Sequence, residues 1–196
     1  MKRYSLVLLL TFLACGCAHA PAPLNDIPLV WAPTSTVAEI GAIDTTGMTD
    51  VKIQMGGFTD ARKDTALIGA NREDGQDRPV TTRDAVAGYV TDHLRETLQK
   101  TGLDVVDSGG TAVLSGEVKD FFVTEVNTYH AEITLSVTLR NAAGKTLWSG
   151  VVGGSSTTFG HSYSAANYYK VLSNALVDAT HTLLANPGFH DALAAK

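Results

Sequence analysis

Four features of the C-terminal half carry the side chains that a hydrolase would need. His130 and His161 offer imidazoles for general acid–base chemistry, Asp178 offers a carboxylate, and the run Gly153-Gly154-Ser155-Ser156 offers two hydroxyls. Nucleophilic catalysis requires a serine that a base activates from within hydrogen-bond reach. This run lacks the GxSxG spacing of a nucleophile elbow, so structural serines are the favoured interpretation. A cell-wall hydrolase is therefore an alternative function, and its test is whether these groups meet in one pocket.

Neither a metal site nor a nucleotide site is predicted. No two histidines stand four apart and the chain has no HExxH motif, although helical zinc sites use such spacings. Gly144-Lys145-Thr146 resembles the end of a phosphate-binding loop, but Leu139 stands where that loop needs its first glycine. A strand rather than a helix follows. A hairpin turn is therefore favoured, and no cofactor is expected.

The charge balance and the positions of the cysteines limit which partners and which stabilising groups the protein can have. Acidic residues outnumber basic residues by 20 to 15, and no Lys/Arg-rich run occurs. Nucleic acids bind clusters of positive charge, so no nucleic-acid partner is expected. Cys15 and Cys17 are the only cysteines, so the domain that follows has no disulfide framework and no zinc-binding cysteine pair. Its stability must come from a packed core.

The N-terminus has the order of a secretory signal. Lys2 and Arg3 precede an apolar run over residues 4–14, which is too short to span a bilayer. The stretch Leu13-Ala14-Cys15-Gly16-Cys17-Ala18 resembles a bacterial lipoprotein signal, in which a cysteine receives a diacylglycerol. We predict a signal peptide over residues 1–16 and lipidation of Cys17, with Cys15 as the alternative.

Lipidation implies that the membrane is a partner of the N-terminus. Acyl chains contribute about 0.8 kcal/mol per buried methylene, so several chains on one cysteine hold a domain on a membrane. Residues 17–49 contain four prolines and little periodicity, which predicts a tether. By similarity with bacterial lipoprotein sorting, the absence of Asp after the candidate cysteine directs the protein to the outer membrane, facing the periplasm.

The pattern of the domain, residues 50–196, is clearest at 131–139. Strict alternation there predicts a strand with one buried face and one wet face, as in antiparallel sheets. The apolar positions are Ala131, Ile133, Leu135, Val137 and Leu139. A loop at 141–145 and a second strand complete a β-hairpin.

Other strands and two helices surround this hairpin. Alternation predicts strands near 51–55, 103–106 and 111–123. Apolar residues spaced three and four apart predict a helix opened by Thr81-Thr82-Arg83-Asp84 and a second helix from about 165 to 185. Because each helix has one apolar stripe, we predict an α+β two-layer sandwich, with a mostly antiparallel sheet and two helices on one face.

Residues 61–79 are predicted to form a long exposed loop. Charges of both signs surround a short apolar patch at Leu67 and Ile68, and Arg72 belongs to this charged set. We expect this loop to contact a partner, while a solvated connection is the alternative. Deleting residues 65–76 is then expected to leave unfolding nearly unchanged, because loop length changes closure entropy only slightly.

Aromatic residues at the entry to the second helix form another candidate patch. Tyr163 and Tyr168 are the members that we assign as candidate contacts for an envelope protein or a glycan strand. Tyrosine on the apolar stripe of a helix is more often core, and that interpretation stays open.

Several segments together resemble the YajG-type family of bacterial lipoproteins. They are Phe58-Thr59-Asp60-Ala61-Arg62, Leu114-Ser115-Gly116-Glu117-Val118, Gly144-Lys145-Thr146-Leu147-Trp148 and Ala166-Asn167-Tyr168-Tyr169. The resemblance covers residues 50–193 and departs from the family at 72–78. It implies an envelope lipoprotein without an assigned enzymatic activity. We therefore expect an outer-membrane-anchored binding or scaffolding module and not an enzyme, with an accessory subunit of an envelope transport or assembly complex as a further alternative.

Overall fold

The computed structural model describes residues 22–195 and places seven strands and four helices within them. The strands are β1 (Lys52–Asp60), β2 (Leu67–Asn71), β3 (Arg78–Thr81), β4 (Asp104–Val106), β5 (Ala112–Glu125), β6 (Thr128–Asn141) and β7 (Thr146–Phe159). The helices are α1 (Val37–Ile40), α2 (Val86–Lys100), α3 (Ala165–Leu184) and α4 (Pro187–Ala194). The predicted strands and both predicted helices are present with small shifts at their ends.

Strand β5 is the centre of one seven-stranded sheet. On one side it pairs antiparallel with β6, which pairs antiparallel with β7. On its other side the first half of β5 pairs parallel with β1, and its last residues pair parallel with β2. Beyond these, β4 pairs parallel with β1, and β3 pairs antiparallel with β2.

The α+β class is confirmed, but the sheet is mixed rather than mostly antiparallel. Three of its six strand pairings are parallel and three are antiparallel. Alternation along one strand reports which face is buried and does not report the direction of a distant neighbour. The hairpin β6–β7 could be read from adjacent segments, whereas β1 meets β5 only after β2, β3, α2 and β4 have intervened.

One face of the sheet is buried under the helices. The five apolar residues predicted to face the core from β6 are all buried. Helix α2 packs on β1, β4 and β5, and α3 packs on β5, β6 and β7. The opposite face of β6 carries Glu132, Thr134, Ser136 and Thr138, which are exposed or half-buried. The prediction of one dry and one wet face is therefore confirmed.

Helix α3 touches the backbone of the edge strand β7 at Gly154. A Cβ atom at this position would overlap the carbonyl oxygen of Ala175 and the amide nitrogen of Ala179. Small residues on both sides let the helix approach this closely.

The start of α2 differs from the prediction. Thr81 belongs to β3, and Ala85 is the N-cap residue without a side-chain hydrogen bond. The Thr82 hydroxyl accepts from the amide of Asp84 at 3.1 Å, and Thr82 is buried. The hydroxyl therefore stabilises a turn before the helix.

The prediction of an exposed loop over 61–79 is wrong. This stretch holds β2, whose residues Ile68, Gly69, Ala70 and Asn71 are buried, and β3, which pairs with it. Exposure is confined mainly to the residues before β2, 63–66, and to the turn between the two strands, 72–77. The charged composition concealed this strand, whose backbone pairs with β5 and β3 and whose Gly69 lies against the Tyr168 ring.

Candidate functional site: a groove under the N-terminal strap

Residues 24–48, which we name the strap, run across helix α3 and bury Ile27, Val37 and Met48. Three backbone amides of the strap donate to side chains of α3 or of the turn before it. They are Leu24 to Tyr163 Oη at 3.0 Å, Ala32 to Ser173 Oγ at 2.9 Å and Thr34 to Asn174 Oδ1 at 2.8 Å. These contacts fix the described part of the predicted tether on the domain, which the sequence did not predict.

Trp31 fastens the strap to helix α2. Its indole stacks on the His93 ring with centroids 4.3 Å apart and an interplanar angle of 4°. The Trp31 and Tyr89 rings meet edge to face, with their centroids 6.1 Å apart. Burial raises the pKa of Tyr89 to about 12, although its hydrogen bond to Ser173 acts in the opposite direction. Tyr89 therefore stays neutral and packs as an aromatic core residue.

A groove with a volume of about 1060 Å³ lies between the strap and the two long helices. The strap lines it with residues 33–45, and α2 contributes Thr97, Lys100 and Thr101. Val177 of α3 forms part of its wall. Ligand pockets in proteins commonly measure about 300 to 1,000 Å³, so this groove could hold a sizeable molecule.

Five of the six hydroxyl-bearing residues on the groove wall are already hydrogen-bonded within the protein. Thr97 and Thr101 donate to carbonyls of their own helix, Thr34 and Ser35 bond Asn174, and Thr36 forms a capping box with Glu39. A threonine whose hydroxyl is bound to its own helix presents its methyl group to the surroundings. The groove is therefore more apolar than its composition indicates.

The groups that a hydrolase would use lie on different elements and do not form one set. His130 Nδ1 lies 2.8 Å from Thr157 Oγ1, and His130 Nε2 lies 3.4 Å from Glu132 Oε1. His161 is exposed beyond the end of β7, where its ring meets Phe159 at 6.2 Å. The two predicted imidazoles thus lie in different environments.

Ser155 and Asp178 do meet, in a shallow pocket of about 330 Å³ that also includes Glu132 and Thr134. The contact is structural in kind, because Asp178 Oδ2 accepts from the backbone amide of Ser155 at 2.8 Å. This carboxylate caps the open edge of β7. It is not directed at the serine hydroxyl as a general base would be.

Asp120 lies on the same face as Glu132 and has a raised pKa. Burial is the largest cause, and the negative charge of Glu132 adds to it, while the amide of Phe121 and the charge of Arg62 act against it.

Within residues 22–195, no group of three or more His, Cys, Asp or Glu side chains is placed to hold a metal ion.

Three of the five predicted partner contacts are core residues. Ile68 and Tyr168 are fully buried and Tyr163 is nearly so, whereas Leu67 is half-buried and Arg72 is exposed. The alternative that the tyrosines belong to the core is confirmed. Their charged and turn-rich neighbours in the sequence suggested exposure, but burying these apolar side chains against the sheet is more favourable.

Glu125 organises this aromatic cluster from a fully buried position at the end of β5. It accepts from the amide of Tyr163 at 2.8 Å and from the hydroxyl of Tyr168 at 2.9 Å. Burial, followed by the charge of Glu125, raises the pKa of Tyr168 far above its ordinary value. Tyr168 is therefore a permanent hydrogen-bond donor to the carboxylate.

Sequence reasoning missed the groove because it interpreted the strap as a tether. Trp31, the capping pair Thr36 and Glu39, and the buried Met48 were the available signals. Their spacing is irregular, so no helical or strand period indicates which helix they would cover.

A family model of lipoproteins matches residues 42–194, which makes this chain a lipoprotein of the bacterial cell envelope. It belongs to the family Lipoprotein_16, described as uncharacterised lipoproteins, and the resemblance to YajG-type proteins is confirmed. Membership indicates attachment to a membrane. The predicted signal peptide, Cys15 and Cys17 lie outside the described residues.

Solved structures resemble this chain at low sequence identity. Protein XCC0632 from Xanthomonas campestris, described with the family model DUF330, is 13% identical, with a TM-score of 0.53, over 84% of this chain and 91% of that one. A candidate lipoprotein from Caulobacter crescentus is 18% identical, with a TM-score of 0.46, over 55% of this chain and 85% of that one. Lipoprotein GNA1162 from Neisseria meningitidis is 12% identical, with a TM-score of 0.36, over 57% of this chain and 88% of that one. The comparison with curated proteins gave no match.

None of the helices within residues 22–195 is long and apolar enough to cross a membrane.

Proposed function

We propose that this protein is an outer-membrane-anchored, periplasm-facing binding module that holds an elongated apolar ligand, such as a lipid acyl chain, in the groove under its strap. The observation that carries the proposal is the wall of this groove, where five of the six hydroxyl-bearing residues are hydrogen-bonded within the protein and the exposed surface is more apolar than polar. Its two charged residues also have partners inside the protein, Glu39 at Thr36 and Lys100 at Glu96. A linear hydrocarbon matches such a wall because it needs no hydrogen-bond partners.

The anchor is the lipid on Cys17, with Cys15 as the alternative. Its support is membership of a lipoprotein family together with the apolar run and small residues before these cysteines. Radiolabelled palmitate should enter the protein, and substituting both cysteines should release it from the membrane fraction. A doubly substituted chain that stays membrane-bound would remove the anchor from the proposal.

Binding is favoured over hydrolysis because the hydrolase candidates are engaged separately. Asp178 holds the amide of Ser155, and His130 contacts Thr157 and Glu132 on another part of the sheet. The predicted serines therefore do not receive these groups, because Asp178 bonds the amide of Ser155 instead of its hydroxyl and His130 lies against Thr157.

The groove can be tested with a photoactivatable palmitate analogue added to isolated envelope vesicles that contain the full chain. Adducts mapped by mass spectrometry should fall on residues 33–45 and 97–101. Ala42→Trp places an indole in the groove and should remove most of these adducts, whereas Ala143→Trp, in the exposed turn after β6, should leave them unchanged. Adducts scattered over the surface, or insensitive to Ala42→Trp, would show that the groove does not take acyl chains.

A further inference from the structure

Two large apolar side chains are exposed in neighbouring segments at one end of the sheet. Phe159 at the end of β7 is 81% exposed, and Val126 at the turn between β5 and β6 is 44% exposed. Gly160 donates its amide to the carbonyl of Asn127 at 3.4 Å, so the two segments touch. We name residues 126–127 and 159–161 the tip.

The tip is uncharged. No Lys, Arg, Asp or Glu occurs between Glu125 and Glu132 or between Lys145 and Lys170. The neighbouring turn at 72–77 is charged, but Arg72 pairs with Asp77 and Arg78 pairs with Asp74. This end of the domain therefore offers an apolar surface beside largely compensated charge.

The described chain begins at the same end. Leu24 donates its amide to the Tyr163 hydroxyl at 3.0 Å, and the Tyr163 amide bonds the side chain of Glu125, which directly precedes Val126. Cys17 stands seven positions before Leu24. Seven residues reach at most about 25 Å even when fully extended. A lipid on Cys17 would thus hold this end of the domain close to the bilayer.

We propose that the tip inserts Phe159 and Val126 into the headgroup region of the membrane that carries the lipid anchor. This inference depends on the anchor in the proposed function. Aromatic and aliphatic side chains at an interface gain free energy by leaving water, and they add to the binding from acyl chains. Because the adjacent charges largely cancel and leave no excess of positive charge, insertion requires no anionic lipid and occurs on zwitterionic phosphatidylcholine.

Insertion at the tip orients the whole domain. Strand β6 runs away from the tip for 14 residues, or about 45 Å at about 3.3 Å per residue. The turn at 141–145 is then the point of the sheet most distant from the membrane.

The test places one fluorophore at each end of the sheet. Val126→Cys and Ala143→Cys are labelled with NBD in the lipidated full chain, and each protein is bound to phosphatidylcholine vesicles with or without nitroxide-labelled lipids. An unsubstituted chain checks that acylated Cys17 takes no label. We expect strong quenching and a blue shift at position 126, and emission at position 143 unchanged by the nitroxides, since contact quenching does not extend over the length of β6, about 45 Å.

A second pair of variants isolates the role of Phe159. Phe159→Ser should reduce quenching of the label at position 126, whereas Leu147→Ser, which changes an exposed apolar residue at the far end of the same strand, should not. A chain that sediments with the vesicles but shows equal quenching at both ends overturns the insertion and leaves the anchor standing. A chain that does not sediment overturns the anchor and the insertion with it.

Discussion

The Arg62 guanidinium donates to both carboxylate oxygens of Asp60, with Nε 2.9 Å from Oδ1 and Nη2 2.7 Å from Oδ2. The same guanidinium donates to the carbonyls of Leu67 at 2.8 Å and Thr65 at 2.6 Å. The side chains are only 6% and 16% exposed for Arg62 and Asp60. This pair ties the end of β1 to the start of β2, which is why the charged stretch after Asp60 is ordered.

Replacing Arg62 should expose the cost of an unpaired, buried carboxylate. We expect Arg62→Met to lower the free energy of unfolding by about 3 kcal/mol, because removing one partner of a buried pair leaves the other charge uncompensated. Arg83→Met is the matched control, since Arg83 is 82% exposed in its ion pair with Asp26 and should matter by less than about 0.5 kcal/mol. Urea unfolding at pH 7 measures both. Equal effects would contradict a special role for Arg62.

The Arg62 effect should depend on pH. Burial opposes ionisation of Asp60, but the hydrogen bonds and charge of Arg62 outweigh it and lower the pKa of Asp60. A lowered pKa contributes stability that is present above the ordinary value of about 3.9 and is lost as pH falls through the folded value. The difference between the parent and Arg62→Met should therefore be largest at neutral pH and shrink below pH about 4. A constant difference between pH 7 and pH 3 would refute this linkage.

Gly154 should tolerate no side chain. Gly154→Ala would drive a methyl group into the backbone of α3 at Ala175 and Ala179, and we expect a loss of about 3 kcal/mol from overpacking. Gly153→Ala is the natural comparison, because its Cβ would lie 3.7 Å from the Ile133 carbonyl, which is an ordinary contact. Thermal unfolding followed by circular dichroism separates them. Similar melting temperatures would mean that α3 does not lie against β7 as described.

Glu125 should be needed as a carboxylate. Glu125→Gln replaces one acceptor oxygen by an amide NH₂ beside the donors of Tyr163 and Tyr168, and we expect a loss of about 2 kcal/mol for the unsatisfied group. Glu132→Gln, on the exposed face, should be nearly neutral. A double-mutant cycle with Tyr168→Phe should show coupling of at least about 0.5 kcal/mol. Additive effects would place Glu125 outside this network.

Strand β2 should be essential for folding. Ile68→Ala removes a fully buried side chain and should cost about 3 kcal/mol, whereas Leu67→Ala, at a half-buried position, should cost less. Deleting residues 65–76 removes the whole strand and should abolish the cooperative urea transition, contrary to what an exposed loop would allow. A deletion variant that unfolds like the parent would restore the loop interpretation.

The sequence by itself determined the elements whose signal lies within a single segment. Alternation identified β6 and its buried face, spacing of three and four identified the buried stripe of α2, and the motifs and lipoprotein-like N-terminus indicated the family. These patterns are local, because a strand or helix imposes its own period on the residues that it buries.

Only the tertiary structure decided the parallel pairing of β1 and β2 with β5, the burial of Ile68 and Glu125, and the course of the strap over the helices. Each depends on a partner far away in the chain: β5 for β2, Tyr163 and Tyr168 for Glu125, and Ser173 and Asn174 for the strap. Composition indicated exposure for the charged stretch and flexibility for the proline-rich one. Packing and hydrogen bonds to these distant partners bury the charged stretch in part and fix the described part of the proline-rich stretch on the domain. The pattern within a single segment carries no information about such partners.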